Sequence, residues 1–123
     1  MAIIQRPTPA NRILLVKART SSTFGVVGTV YMKPGETLDW ALEFKGTQLP
    51  LGQNLYAMSA PVSGGAQSAY LTCSEYAVDD TQAKMLLALS ASATTSSVIT
   101  LTVTVQPSST ETMIVAVPVT VGS

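Results

Sequence analysis

The feature that most constrains this chain is a strict two-residue rhythm of apolar and polar side chains. In residues 38–45 (LDWALEFK), Leu38, Trp40, Leu42 and Phe44 alternate with Asp39, Ala41, Glu43 and Lys45. Period two puts the four large apolar side chains on one face of a pleated strand and the other set on the opposite, wet face. A helix would scatter them around its circumference. The rhythm recurs near the C-terminus. Residues 98–105 (VITLTVTV) place Ile99, Leu101, Val103 and Val105 on one side and threonines on the other. Residues 113–121 (MIVAVPVTV) gather Met113, Val115, Val117, Val119 and Val121 on one face. Pro118 lies on the opposite face and cannot donate to a ladder, which predicts a strand that ends or edges its sheet.

The remaining segments read as further strands punctuated by turns. Residues 12–18 (RILLVKA) and 23–32 (TFGVVGTVYM) are β-rich, and Gly25 and Gly28 in the second predict a bulge or a close backbone approach. In Lys33-Pro34-Gly35-Glu36, proline presets one corner of a turn and glycine tolerates the positive φ of the next. A short run follows at residues 54–58. In residues 68–76 (SAYLTCSEY), Ala69, Leu71 and Cys73 alternate with Ser68, Tyr70, Thr72 and Ser74. Residues 81–89 (TQAKMLLAL) have helical propensity, yet Met85, Leu87 and Leu89 alternate, and the β context decides for a strand. Seven or eight short strands at regular spacing predict an all-β fold, an antiparallel immunoglobulin-like β-sandwich, with a small barrel as the alternative. Trp40 and Cys73 lack the second cysteine of true immunoglobulin domains, so only the architecture is expected. Residues 1–11 are expected to form an extended N-terminal arm, and residues 12–123 a single domain.

At 123 residues the chain can bury one respectable core without disulfides or metals. Seven basic and seven acidic residues cancel, so no net field attracts nucleic acid or an anionic membrane, and neither is expected as a partner. No apolar stretch suggests a signal peptide or a membrane-spanning helix. A reducing cytoplasm, with Cys73 reduced and inert, is the expected setting for maturation.

Histidine is absent and Cys73 is the sole cysteine, which removes Ser-His and Cys-His catalysis, zinc fingers, haem ligation and any intrachain disulfide. Serines with Lys17, Lys33, Lys45 or Lys84 formally allow a Ser–Lys dyad, but no spacing marks a pair and no nucleophile elbow surrounds a serine. Asp39 and Glu43 share a strand face but stand about 13 Å apart, too far for a glycosidase pair. Asp79-Asp80 with Glu75 could begin a calcium loop, although adjacent aspartates more often make a turn. Gly64-Gly65 lacks the Lys-Ser helix start of a phosphate loop. No enzymatic activity, cofactor or metal is therefore expected.

The candidate contact residues are of two kinds. Ile3, Ile4, Pro7 and Pro9 lie in the arm without periodic partners, so the arm either frays or orders against a neighbouring subunit. Tyr70 and Tyr76 are expected on the polar-facing side of their strand, where they could stack on a sugar or flank a protein interface.

Charged residues make up only 11% of the chain, against about 25% for an ordinary soluble domain, while 13 serines and 16 threonines fill the gap. Outward faces of Thr, Ser and Ala do little to block association at sheet edges. A permanent subunit of an assembly, homo- or hetero-oligomeric, is favoured over a secreted adhesin-like module. Pro34-Gly35-Glu36-Thr37-Leu38-Asp39-Trp40, followed by Phe44, Leu49 and Gly52, resembles the small β-sandwich virion proteins of tailed bacteriophages, in particular the fibre–tail adaptors. The likeness covers about residues 33–121, and residues 3–32 are an additional N-terminal piece. It implies a structural virion protein, a tail or neck adaptor that joins fibres or other virion proteins such as tail, neck or capsid subunits. Assembly in the host cytoplasm is implied as well. A capsid decoration (cement) protein and a glycan-binding module are the alternatives.

Overall fold

A computed structural model of the chain describes residues 7–18, 22–46, 48–50 and 52–122. Among these the helical segments are two three-residue 3-10 turns, Ala10–Arg12 and Ser68–Tyr70. The rest of the regular structure is β, as the alternation requires. The strands are β1 (Ile13–Lys17), β2 (Gly25–Val26), β3 (Val30–Met32), β4 (Thr37–Glu43), β5 (Ala57–Met58), β6 (Val62–Gly64), β7 (Leu71–Asp79), β8 (Gln82–Leu89), β9 (Val98–Gln106) and β10 (Met113–Val121). They form two sheets. The first has the order β2-β1-β4-β8-β7, and the second β3-β10-β9-β5, with β6 also paired to β9. Pairing is mixed where a purely antiparallel pattern was expected, because β1 runs parallel to β4 and β3 parallel to β10.

The inward faces of both sheets meet in one apolar cluster. Leu42, Phe44, Met85 and Leu87 from the first sheet and Ile99, Leu101, Val103, Val115 and Val117 from the second are essentially sealed from water. β8 is the strand its context suggests. Ala83, Met85, Leu87 and Leu89 are buried in the cluster, and each pairs across to β4 or β7 on the same face. The turn at residues 33–36 works as its residues predict: Gly35 takes φ 90°, Glu36 N donates to Lys33 O, and the Glu36 carboxylate accepts from Lys33 N.

The sheets are stitched together along both sides. Phe24 N donates to Ile114 O and Ala116 N to Phe24 O, while the next two residues, Gly25 and Val26, pair with β1. The single run expected at residues 23–32 is thus divided between the sheets. The chain leaves the second sheet after Phe24, pairs with the first, and returns at β3 through Gly28, whose φ is 91°. Opposite, Ser63 Oγ on β6 donates to Ser68 O at 2.7 Å and lies 3.2 Å from Leu71 O, tying the second sheet to the start of β7.

Two expectations are corrected by long-range pairing. Pro118 lies inside its sheet, with β10 between β3 and β9. The reason is local. Ala116 N and Gly122 N both donate toward the β3 side, to Phe24 O and Met32 O. Pro118 has the same parity, so its missing N–H falls opposite the break between β2 and β3. There Thr29 Oγ1 donates to Pro118 O at 2.8 Å. The second correction is that the polar face of β4 is largely covered: Asp39 and Ala41 are buried along with the core residues.

Candidate interaction surfaces

What covers β4 is the N-terminal segment. β1 pairs with β4 only from Ile13 and Ala41 onward, so the β4 backbone before that point has no neighbouring strand on this side. The 3-10 turn Ala10–Arg12 carries the chain off β1. Arg12 then reaches back, donating from Nε to the Asp39 backbone oxygen at 2.9 Å and from Nη2 to Asp39 Oδ1 at 3.0 Å. Farther along, Thr8 is buried, and Pro7 and Thr8 share a cleft with residues 79–82 and Lys84. Pro7 and Pro9 themselves are exposed. Ile3 and Ile4 lie outside the described residues.

Charge is concentrated on this outer face. By register, Lys17, Asp39, Glu43, Glu75, Asp79 and Lys84 all point outward from the first sheet. Lys84 is buried and pairs with Asp79 at 2.7 Å, their side chains being 5% and 56% exposed. Glu43 organises the end of the sheet. Its carboxylate accepts from Thr81 Oγ1 at 2.6 Å, Lys45 N at 2.9 Å and Gln82 Nε2 at 3.1 Å. Burial alone would raise the Glu43 pKa, but these hydrogen bonds, with one from Phe44 N, outweigh it and hold the carboxyl below its ordinary value.

β7 contains a bulge that sequence alternation alone does not reveal. Cys73 pairs with Leu87 and Glu75 with Leu86, so Ser74 is an extra residue and the faces exchange there. Tyr76, expected on the wet side, pairs with Met85 and packs half-buried against the core. Tyr70 sits in the 3-10 turn before β7, also half-buried against the core. The two tyrosines thus lie in different elements, one in the turn and one within β7. Burial raises the Cys73 thiol pKa, with the Glu75 charge adding to it against two backbone hydrogen bonds; Sγ contacts Glu75 O at 3.2 Å. The thiolate is disfavoured.

The outer face of the second sheet is of a different kind. β10 presents Ile114, Ala116, Pro118 and Thr120. β9 presents Val98, Thr100, Thr102, Thr104 and Gln106, flanked by Val62 of β6 and Tyr31 of β3. None is charged. Tyr31 is 48% exposed, Val62 64%, Val98 59% and Ile114 40%, which makes four of the seven exposed large apolar side chains among the described residues. Gly122 allows Tyr31 to lie across the end of β10, since a Cβ there would fall on the ring. The threonine column was visible in the sequence. The residues beside it come from chain positions 31, 62 and 114, and only strand pairing unites them.

The chemistry considered from the sequence finds these placements. Among the described residues no group of three carboxylate or thiol side chains could hold a metal ion. Asp80, with φ 53°, turns the β7–β8 hairpin. Four clefts among the described residues hold no serine beside a lysine. Asp39 is engaged with Arg12 and Glu43 with the hairpin, so the two carboxylates serve separate structural tasks. Among the described residues no helix is long and apolar enough to cross a membrane. Comparison of the chain with protein-family models, curated proteins and solved structures finds no match.

Proposed function

We propose that this chain is a non-enzymatic structural protein of a tailed-bacteriophage particle, a tail or neck adaptor that joins fibres or other virion proteins. The observation that carries this reading is the separation of charge between the two outer faces. One sheet holds six charged side chains, partly beneath its own N-terminal segment, while the other presents a continuous uncharged face with four large apolar residues. Exposed apolar surface collected on one side is the mark of a docking face. The motif behind the resemblance supports the reading from another direction. Pro34-Gly35-Glu36 forms the turn into β4, and Trp40 within that strand and Phe44 just after it are core residues.

We infer further that the two sheets make an immunoglobulin-like sandwich. The order β4-β8-β7 matches strands B, E and D of that fold, and β10-β9-β5 matches G, F and C. β1 and β2 are then additions at the edge of the B-E-D sheet. Such a framework carries many functions, so the role rests on the surface rather than on the fold.

Quantitative mass spectrometry of purified particles tests the role. A few copies per particle, located in the tail or neck, is the expected result. Hundreds of copies would make it a decoration protein instead, and absence from particles would overturn the virion assignment altogether.

A further inference from the structure

We propose that the uncharged outer face of the second sheet docks on the same face of a second copy of this chain, giving a two-fold dimer. A self-docking face of this kind presupposes the assembly role proposed above and names its first partner.

Charge selects the partner. In a two-fold interface a patch meets itself, so a charged residue near the axis faces its own sign. The first sheet's outer face, with Glu43, Glu75 and Asp79, is unsuited to that arrangement. The second sheet's face has no charged side chain on any of its strands, and a second copy therefore meets no like-charge penalty.

The shape agrees, and the size sets the strength. Small or compact residues, Thr100, Thr102, Ala116 and Pro118, occupy the middle of the face, with larger apolar side chains toward its ends and side. Sheets with compact facing residues pack closely, about 10 Å apart. β9 and β10, each about 30 Å long, with the short β3, β5 and β6 beside them, give a footprint of about 420 Å² per copy. Two copies together bury about 850 Å², the size of a weak, reversible interface.

The sheet edges are less suited to self-association. The edge formed by β5 and β6 is interrupted around Pro61, and the β7 edge by its bulge next to Glu75. Both are devices that discourage strand addition. The other two edges, β2 and β3, are two and three residues long, too short to template a partner strand, and the broad face is the surface left for a second copy.

Sedimentation of the full chain, from micromolar to submillimolar concentration, tests the dimer. The wild-type chain is expected to dimerise. Thr100→Lys, at the centre of the face, should raise the dimer dissociation constant about 100-fold, with its circular dichroism and Trp40 fluorescence unchanged. Ala116→Glu on the neighbouring strand answers the same question should Thr100→Lys fail to fold. Ala77→Lys, on the first sheet's outer face, should leave the dimer intact. A wild-type chain that stays monomeric at submillimolar concentration overturns the proposal, as does a dimer that tolerates the folded Thr100 or Ala116 variant. A monomer still found in particles removes the two-fold contact and leaves the assembly role; a dimer absent from particles does the reverse.

Discussion

The Arg12 guanidinium stands beside Asp39 where one more residue of β1 would otherwise pair, and it bonds both the backbone carbonyl and the carboxylate of that residue. A side chain thus completes the exposed end of a strand ladder and also pairs with a buried carboxylate.

Loss of that double contact has a predictable cost. Arg12→Ala should destabilise the fold by about 2 kcal/mol, the range of charge-assisted hydrogen bonds at a partly buried site. Arg12→Lys should restore little, because a point-like ammonium cannot bond carbonyl and carboxylate in the same fork. Urea unfolding of the three chains measures both.

The Lys84–Asp79 pair should respond asymmetrically. Removing the buried partner leaves an exposed carboxylate that water can solvate, so Lys84→Met should be close to neutral. Removing the exposed partner takes the 2.7 Å contact with Asp79 from a buried ammonium, and Asp79→Ala should cost about 1–2 kcal/mol. Equal effects in denaturant titrations would contradict this ordering.

Glu43 predicts the acid side of the stability profile. Its folded pKa lies below its ordinary value of 4.5, so the folded state favours the carboxylate. The contribution is present above the unfolded pKa and is lost as the pH falls from about there through the lower folded value. Glu43→Gln should flatten that part of the curve, seen as a smaller loss of melting temperature on acidification.

Trp40 is buried, and its Nε1 finds no hydrogen-bond partner among the described residues. Trp40→Ala should cost about 3–5 kcal/mol through the cavity it leaves. Trp40→Phe keeps most of the apolar volume and removes the unsatisfied donor, so its cost should be about 1 kcal/mol. Thermal unfolding followed by circular dichroism separates the two, since either variant lacks the sole tryptophan.

The parts of this fold legible in the sequence are those written by local alternation. β4, β9 and β10 follow from their own residues, and β8 from its neighbours. Illegible were features decided by distant chain. Tyr76 changes face because of a one-residue bulge at Ser74, which leaves no Gly or Pro signature. Pro118 can occupy an interior strand because the chain is away from the second sheet between Phe24 and β3, opposite its nitrogen. Asp39 and Lys84 are buried although the period marks them as wet, because an aperiodic segment at residues 7–12 lies over that face. At the candidate interface the threonine column was readable, but Tyr31, Val62 and Ile114 join it only through pairing.

The parallel contact of β3 with β10 sets Val30 beside Val119. A nascent chain emerging from the ribosome must therefore hold β3 without its final neighbour until β10 has been made, long after the strands between them. Closure of that seam waits for β10, and a chain cut short before it would leave the inward faces of β3 and β9 open to whatever they meet first.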